Sequence, residues 1–379
     1  MRKEYLLAPG PTQVPPEVLL EMAKPVFHHR TAEYRKLHQE ALEDLKAVFR
    51  TRNDVYAMTS SGTGAMETAV ANVLSPGDKA LVVQAGKFGE RWAGLCKAFG
   101  AKVTVIDVEW GTAVDPELIR QHLKKDPEIA AVYTTLCETS TGVVTDIAAI
   151  GAIVKETPAL LVVDGISGGG AIPVEVDAWG VDMLAVGSQK ALMLPPGLAF
   201  ITVSTKAWKR IDARTPAAFY FDIKKARKNI PTFDNPWTPA VTLMVGLKKA
   251  LEMIKKRGVE QIWKDHARLA KAARAAVNAM GLKVYANPPA DCVTAILLPE
   301  NIDGEALVKK LRLDYGITIA GGQDKLKGRV VRISHMGYVG DADVIIAIAS
   351  LERILTEMGY KFELGSGLRA AQHVLMQQA

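Results

Sequence analysis

Three short segments place small, acidic or basic residues directly after apolar runs of the sequence. The first is SSGTG at residues 60–64, which opens into a helical pattern that begins at Ala65. Small residues at a helix N-terminus let backbone N–H groups approach an anion, and the helix dipole adds partial positive charge. This segment predicts a phosphate site, although serine, threonine and glycine at a helix start are also ordinary N-capping residues.

The other two segments each place one ionisable residue after an apolar run. Asp164 follows the apolar residues 159–163, where a carboxylate needs a partner because burial of an isolated charge is costly. Lys190 follows the apolar run 183–186 and precedes the string ALMLPPG. A partly desolvated lysine has a lowered pKa and can form a Schiff base with a carbonyl group. Taken singly, Asp164 is equally compatible with a loop-capping carboxylate, and Lys190 with a surface lysine.

Together, the three segments match the requirements of pyridoxal phosphate. This cofactor needs an anion cradle for its phosphate, a carboxylate that keeps its pyridine nitrogen protonated, and a lysine for its aldehyde. The sequence contains these groups in that order, and each follows an apolar run. Because open α/β sheets bind ligands at the carboxyl ends of their strands, we expect the three segments to meet at one edge of a sheet.

The elements that must position these segments alternate between strands and helices over residues 53–204. Nearly continuous Val-, Ile- and Leu-rich runs predict strands buried on both faces, as in a mostly parallel sheet covered by helices. This alternation is typical of a doubly wound α/β fold. The predicted strands are residues 55–59, 80–83, 103–108, 130–135, 160–164, 183–188 and 199–203, and the predicted helices are 65–74, 90–99 and 116–125.

The flanking regions predict one more helix before the sheet and a second, smaller α/β unit after it. An amphipathic helical stripe covers residues 37–49, and residues 208–238 appear irregular, basic and proline-containing. A helical pattern then covers 238–280, with a break near Gly258. The smaller unit is predicted to contain strands at 293–298, 317–320 and 330–334 and helices at 304–315 and 341–358. Residues 365–379 form a weakly amphipathic tail.

Length and composition limit the possible classes of protein. The 379 residues are 49% hydrophobic and 23% charged, which is typical of a globular chain of about two domains. Because the three cysteines are scattered and the N-terminus does not resemble a secretory signal, we expect a cytoplasmic protein with reduced thiols. No apolar run is long enough to cross a bilayer, and the His and Cys spacing predicts no metal site. Walker, GxGxxG, HExxH and GxSxG strings are absent.

Seven strings spread over nearly the whole chain follow the order found in one enzyme family. They resemble the class V aminotransferases of fold type I, especially the alanine–glyoxylate and serine–glyoxylate (serine–pyruvate) aminotransferases. GSQKAL…PPG is the most specific of them. The strings are LLAPGPTQVPPEVL at 6–19, SSGTGAMETAVANVLSPGD at 60–78, ETSTGV at 138–143, LLVVDGISGGG at 160–170, GSQKALMLPPGLAFI at 187–201, TPAV at 238–241 and GRVVRISHMG at 328–337.

The resemblance implies an architecture and an assembly. The expected fold is α/β, with a large domain built on a mostly parallel seven-stranded sheet flanked by helices and a smaller C-terminal α/β domain. The expected parts are an N-terminal arm at 1–18 that lines the active site, a pyridoxal-phosphate-binding domain at 19–262, and a small domain with its tail at 263–379. The resemblance also implies a homodimer with shared active sites.

The resemblance also assigns roles to individual residues. Lys190 would carry the cofactor covalently, Asp164 would pair with its pyridinium nitrogen, and these two are the expected catalytic residues. Phe88 would stack on the pyridine ring, where relatives frequently have Trp, and Thr238 would reach the phosphate held by the neighbouring subunit. The expected cofactor-binding residues are Ser61, Gly62, Thr63, Phe88, Thr139, Asp164, Gln189, Lys190 and Thr238, and the expected substrate-binding residues are Gly10 and Arg332.

The implied reaction is a ping-pong amino transfer from a small amino acid, alanine or serine, to a 2-oxo acid, glyoxylate or pyruvate. In it, Lys190 takes the α-proton as general base and Arg332 grips the substrate carboxylate. We expect small-molecule substrates, no membrane partner and no nucleic acid. The amino donor and the role of the tail are not fixed by the sequence.

Other functions are compatible with parts of the sequence. A 2-aminoethylphosphonate or ureidoglycine aminotransferase would differ only in a few pocket residues. A cysteine desulfurase would need a mobile reactive cysteine, for which Cys292 is the only candidate at a suitable distance beyond Lys190, although it opens an apolar strand. The net charge of +6 and the basic cluster at 206–228 motivate a nucleic-acid-binding alternative, which the even spread of lysine and arginine opposes. The presence of Lys190, Asp164 and Arg332 argues against a partner subunit that has lost its activity.

Overall fold

The N-terminal part of the fold leads into one long helix that packs against the central sheet. The computed structural model describes residues 3–377. It begins with strand β1 (Tyr5–Leu6), followed by helices α1 (Pro16–Met22) and α2 (Ala32–Phe49). The Thr31 side chain accepts a hydrogen bond from the Tyr34 N–H and so caps α2 at its N-terminus. The buried face of α2 includes the stripe predicted from the sequence.

A seven-stranded sheet forms the centre of the molecule, which confirms the predicted fold class. Its order is β2-β10-β9-β8-β5-β3-β4, and all neighbours are parallel except β10, which runs antiparallel to β2 and β9. A separate two-stranded hairpin pairs β6 with β7. The strands are β2 (Val55–Ser60), β3 (Lys79–Gln84), β4 (Lys102–Asp107), β5 (Ile129–Thr135), β6 (Cys137–Glu138), β7 (Val143–Val144), β8 (Leu160–Asp164), β9 (Met183–Gly187) and β10 (Gly197–Thr202).

Helices cover both faces of this sheet because its central strands are apolar on both sides. In β8, Leu160 and Val162 pack into one apolar core with α3 and α4, while Leu161 and Val163 pack into the opposite core with α2, α5 and α6. Asp115 caps α5 through its side chain, and Pro116 occupies the first helical position. The helices of this region are α3 (Gly62–Val73), α4 (Lys87–Ala98), α5 (Pro116–Lys125), α6 (Ile147–Val154), α7 (Thr205–Asp212) and α8 (Ile223–Asn229).

The prediction that residues 208–238 are irregular is wrong in part. Helix α7 continues to Asp212, and α8 occupies the middle of the segment. Asp222 accepts a hydrogen bond from the Lys224 N–H, so it is the N-cap of α8. Because α8 has only seven residues and buries only Ile223, its apolar periodicity is too weak to be seen in the sequence.

A second sheet follows two long helices. Its order is β11-β12-β15-β14, with every pair antiparallel, and β13 pairs separately in parallel with β1 of the N-terminal arm. The helix break predicted near Gly258 separates α9 from α10. The elements are α9 (Val241–Arg257), α10 (Val259–Ala279), β11 (Lys283–Val284), β12 (Val293–Leu297), α11 (Gly304–Lys310), β13 (Ile317–Thr318), β14 (Ala320–Gly321), β15 (Val330–Ser334), α12 (Asp341–Glu357) and α13 (Ser366–Leu375).

The C-terminal segment docks on the second sheet's helices as α13. The Glu352 carboxylate accepts hydrogen bonds from the backbone N–H groups of Gly365, Gly367 and Leu368, which caps the start of α13. Ala371 packs into the same apolar core as α10 and α12. The last two residues of the predicted tail, 378 and 379, lie outside the described part of the chain.

Helix α10 runs without a break across residue 262, so the predicted boundary between the two domains falls inside a helix. The division of the chain into domains therefore stays a prediction. No helix within residues 3–377 is long and apolar enough to cross a membrane.

Candidate active site

A cavity of about 240 Å³ lies where the segments after β2, β3, β6, β8 and β9 meet. This is the edge of the sheet at which the sequence predicts the three chemical segments to converge. All but two of the predicted site residues line it, the exceptions being Thr238 and Arg332. The lining residues are Gly10, Pro11, Ser61, Gly62, Thr63, Phe88, Arg91, Thr139, Asp164, Ile166, Ser167, Gln189, Lys190 and Pro196.

One end of the cavity is the N-terminus of α3. Ser61 is the N-cap of this helix, and its side chain makes no capping hydrogen bond. Gly62 lies against Ile166, and a Cβ atom on this glycine would come within 2.6 Å of the isoleucine Cδ1 atom. The buried Oε1 atom of Gln189 has no hydrogen-bond partner among the described residues. The free N–H groups at this helix N-terminus favour an anion at this end of the cavity.

Asp164 lies deep in the cavity at the end of β8, with 3% of its surface exposed. Its Oδ1 atom accepts a 2.8 Å hydrogen bond from the Ile166 N–H. Burial, with a smaller contribution from Glu138, raises the pKa of the Asp164 carboxyl to about 7, while Arg91 and Lys190 oppose the rise. A cationic group bound next to Asp164 would compensate for this cost of burial.

Lys190 faces the same cavity and is only 8% exposed. Burial lowers the pKa of its ammonium group to about 8. The Nζ atom donates to the Pro9 carbonyl oxygen, and Thr12 Oγ1 donates to the Lys190 carbonyl oxygen at 2.9 Å. Gly10 has φ +129°, and any Cβ atom there would overlap the lysine side chain. The N-terminal segment therefore packs directly against the Lys190 side chain.

Phe88 lies in the first turn of α4, and a buried carboxylate fixes its backbone. Glu138 Oε2 accepts hydrogen bonds of 3.1 Å from the N–H groups of both Phe88 and Gly89. Burial raises the pKa of the Glu138 carboxyl, and its hydrogen bonds to Ser140 and these N–H groups oppose the rise. Glu138 is absent from the sequence-based site predictions, although it opens the string ETSTGV.

Two polar residues that line the cavity, Ser167 and Arg91, are also absent from the predictions. Ser167 accepts a 2.6 Å hydrogen bond from Thr139 Oγ1 and so fixes a predicted cofactor contact. Arg91 lies one helical turn beyond Phe88, and its Nη1 atom donates to Thr63 Oγ1 at 3.2 Å. The spacing of three residues between Phe88 and Arg91 was the only signal in the sequence that they share a helix face.

The two predicted residues outside the cavity lie in different places. Arg332, on β15, is 6% exposed, and its Nη1 atom donates to the Thr139 carbonyl oxygen at 2.8 Å. Its Nε and Nη2 atoms donate to the Gly321 carbonyl oxygen at 3.0 and 2.7 Å. Burial lowers the pKa of this guanidinium to about 10. Thr238 lines a separate groove that also contains Tyr220 and Trp237.

Cys292 lies in the interior and not on a mobile loop. It is fully buried at the start of β12, and its Sγ atom lies 3.2 Å from the Sγ atom of Cys137. The thiol contact and the burial raise the pKa of Cys137 well above its usual range. This environment is that of a structural thiol and opposes the desulfurase alternative.

Comparison with known proteins identifies the family to which this site belongs. The family model for class V aminotransferases matches residues 4–345. The chain is a class V aminotransferase.

Similar proteins cover the chain along its full length. A serine–glyoxylate aminotransferase of Methylorubrum extorquens is 38% identical, over 98% of this chain and 96% of the relative. A 42% identical protein of Anabaena cylindrica, named a soluble hydrogenase 42 kDa subunit, is matched over 98% of both chains. The crystal structure of a ureidoglycine–glyoxylate aminotransferase of Bacillus subtilis superimposes with a TM-score of 0.95 at 30% identity, over 99% of this chain and 98% of that one.

Membership of this family confirms the predicted cofactor, because class V aminotransferases of this fold type depend on pyridoxal phosphate. The residues of this class V aminotransferase fit that group. The uncapped helix N-terminus suits a phosphate, and the buried Asp164 carboxyl suits a protonated ring nitrogen. Lys190 supplies a desolvated amine. Within residues 3–377, no cluster of three or more His, Cys, Asp or Glu residues could hold a metal ion.

Proposed function

We propose that this class V aminotransferase moves the amino group of alanine or serine to glyoxylate or pyruvate by a ping-pong reaction. The observation that carries the proposal is the convergence of Lys190, Asp164 and the N-terminus of α3 on one cavity. The named relatives support glyoxylate as the acceptor more than they support any one donor. Glyoxylate occurs in the names of both the Methylorubrum and the Bacillus enzymes, whereas their donors are serine and ureidoglycine.

In this proposal the cavity residues hold the cofactor in the roles expected from the sequence. Ser61, Gly62 and Thr63 hold the phosphate at the N-terminus of α3, helped by Gln189. Asp164 faces the ring nitrogen and Phe88 stacks on the ring. Thr139 contacts the phenolic oxygen, with its hydroxyl oriented by Ser167. When bound, pyridoxal phosphate supplies an electron sink for the carbanion that forms at the substrate α-carbon.

Lys190 is the proposed attachment point and general base. Because burial lowers the pKa of its amine to about 8, a sizeable fraction of this group is neutral near physiological pH. The neutral amine takes the proton from the substrate α-carbon and returns a proton in the following step. The contact with the Pro9 carbonyl and the closeness of Gly10 limit where Nζ can lie, so the arm at the N-terminus orients the base.

Arg332 is the proposed carboxylate-binding residue. Its hydrogen bonds to Gly321 and Thr139 use three of its five N–H groups, so one N–H on each terminal nitrogen has no partner among the described residues. These two N–H groups remain for a substrate carboxylate to accept hydrogen bonds from. Because alanine, serine, glyoxylate and pyruvate all carry a carboxylate, one arginine serves both halves of the reaction.

A homodimer with shared active sites accounts for the position of Thr238 outside the cavity of its own chain. The groove that contains Thr238 lies beside exposed aromatic side chains, among them Phe219 at 73% exposure. Exposed aromatic clusters of this kind are typical of protein interfaces. We propose that a second copy of the chain covers this surface and that Thr238 reaches the phosphate in the partner's cavity. A cytoplasmic location is part of the same proposal.

Two alternatives follow from the comparisons. Ureidoglycine is the second candidate donor, supported by the TM-score of 0.95 to the Bacillus enzyme. The name of the Anabaena relative raises a hydrogenase subunit as a function of a different class. The lysine and carboxylate that meet beside an anion site favour amino transfer over that function.

One experiment tests the proposed function and ranks the donors. The purified protein with pyridoxal phosphate is mixed with single donors, namely alanine, serine, aspartate, ureidoglycine and 2-aminoethylphosphonate, and loss of the visible absorption band is followed. Glyoxylate or pyruvate should then restore the band. We expect alanine or serine to bleach the band fastest. Failure of every donor, together with hydrogen uptake by the same protein, would overturn the proposal in favour of the hydrogenase alternative.

A further inference from the structure

Arg91 is a cavity residue to which neither the sequence motifs nor the proposed reaction assigns a role. It lies on α4, is half-buried, and projects between two parts of the site. Its Cζ atom lies 4.8 Å from the centroid of the Phe88 ring. Its Nη1 atom donates to Thr63 Oγ1 at 3.2 Å. One guanidinium therefore contacts both the aromatic ring and the phosphate cradle.

Arg91 makes no direct contact with a carboxylate among the described residues, although its charge acts on Asp164 in the same cavity. None of the ion pairs among residues 3–377 includes Arg91, and its contacts are the neutral Phe88 ring and the Thr63 hydroxyl. A partly desolvated cation without a counter-ion is costly unless a bound anion compensates for it. The neighbouring uncapped N-terminus of α3 is the part of the cavity that favours an anion.

We propose that Arg91 is a positioning residue for the cofactor: it fixes the Phe88 ring and the Thr63 hydroxyl relative to each other and supplies positive charge to the phosphate end of the cavity. This inference rests on the proposed function of the site.

The contacts of Phe88 explain why both its backbone and its ring are fixed. Glu138 holds the backbone N–H of Phe88, and Arg91 packs on the ring from one turn further along α4. A planar guanidinium can stack on an aromatic ring and donate a hydrogen bond in its own plane, whereas an ammonium group cannot do both. Arg91→Lys would therefore keep the positive charge, but its ammonium group could not both stack on the Phe88 ring and donate a hydrogen bond to Thr63.

The charge of Arg91 also acts on Asp164. It lowers the pKa of that carboxyl, against the larger effect of burial. Loss of the positive charge would leave Asp164 less able to stay ionised beside a protonated ring nitrogen. Arg91 and Lys190 line the same cavity, and a cation there disfavours the protonated form of a lysine-bound cofactor, so loss of Arg91 would raise the pH at which that proton is released.

The test compares Arg91→Met and Arg91→Lys with the wild-type holoenzyme. Arg353→Met is the matched control, since Arg353 also packs on an aromatic ring, with its Cζ atom 4.7 Å from the Tyr315 ring centroid, but lies outside the cavity. The readouts are the dissociation constant for pyridoxal phosphate, the pH midpoint of the visible absorption band, and the thermal midpoint of the cofactor-free protein.

We expect Arg91→Met to weaken cofactor binding about tenfold or more and to move the pH midpoint of the visible band upward. Arg91→Lys should weaken binding by a smaller factor and leave the pH midpoint near the wild-type value, because its charge remains. Arg353→Met should match wild type in both properties, and the cofactor-free proteins should unfold at similar temperatures.

Two results would overturn the inference about Arg91, and a third would overturn the proposed function. Equal cofactor affinity and equal pH midpoints for Arg91→Met and wild type would overturn the inference. A lower thermal midpoint of the cofactor-free Arg91→Met protein, with an unchanged pH midpoint, would overturn it too, because it would indicate a structural role only. If wild type itself forms no visible band with pyridoxal phosphate, the proposed function fails, whatever the variants do.

Discussion

Arg332 donates a 2.8 Å hydrogen bond from Nη1 to the carbonyl oxygen of Thr139. This bond joins β15 of the second sheet to the loop that lines the cavity next to the first sheet. The proposed carboxylate-binding residue is therefore placed by backbone atoms of the β6–β7 turn and of β14, since Gly321 supplies the other acceptor. Its position beside the cavity depends on the packing of the second sheet against the β6–β7 turn.

Arg332→Gln should lower kcat/KM for both the amino donor and the oxo-acid acceptor by about 100-fold, because two charge-assisted hydrogen bonds to the carboxylate are lost. Cofactor affinity should change much less. Steady-state kinetics with each substrate varied measure the effect, with Arg329→Gln as a control because Arg329 is exposed on the same segment. A loss confined to one of the two substrates would contradict a shared carboxylate site.

Asp164→Asn should stabilise the cofactor-free protein while it weakens cofactor binding and slows α-proton abstraction. Burial raises the pKa of Asp164 to about 7, so between about pH 4 and pH 7 the folded chain keeps a proton that the unfolded chain has lost. Folding stability therefore falls as the pH rises through this range, by up to about 4 kcal/mol from this group.

Urea unfolding of the cofactor-free wild type and of Asp164→Asn measures this effect. The stability advantage of the variant should be larger at pH 8 than at pH 5. An advantage that does not change with pH would show that Asp164 is already ionised in the folded, cofactor-free protein.

The attachment of pyridoxal phosphate to the cofactor-free protein should speed up as the pH rises through about 8. Burial lowers the pKa of the Lys190 amine to this value, so about one tenth of it is neutral at pH 7, against fewer than about one in a thousand for an ordinary lysine. Stopped-flow absorbance measures the rate. A profile that keeps rising to pH 10, as for free lysine in solution, would contradict a desolvated Lys190.

Cys292→Ser should retain amino transfer to within about twofold and lower the thermal midpoint slightly, because a hydroxyl replaces a fully buried thiol. Wild type should release no sulfide from cysteine. Cys96→Ser is the matched control, since Cys96 is equally buried on α4. Loss of activity in the Cys292 variant alone, together with sulfide release by wild type, would restore the desulfurase alternative.

The sequence predicts the large sheet well because its central strands are apolar on both faces. Asp164 and Lys190 are identifiable for a related reason, since one ends such a strand and the other follows one by three residues. Parallel strands bring their carboxyl ends to one edge, so the meeting of these residues follows from topology.

The residues that support the site were not predictable in the same way. Glu138 acts through backbone N–H groups of Phe88 and Gly89, about fifty positions earlier, and Arg91 acts through Thr63 on a different helix. Such partners depend on tertiary packing and leave no periodic signal. The C-terminal helix α13 was unpredictable for the same reason, because its start is fixed by hydrogen bonds from its N–H groups to Glu352 of α12.

Lys190 is the proposed attachment point of the cofactor, in a cavity that it shares with Asp164. Borohydride reduction of the holoenzyme, followed by peptide mapping by mass spectrometry, tests this attachment most directly. The mass of reduced pyridoxal phosphate should be found on the peptide that contains Lys190, and Lys190→Ala should show neither that mass nor the visible band, while Lys79→Ala keeps both. Recovery of the cofactor mass on another lysine, or an undiminished band in Lys190→Ala, would contradict the account.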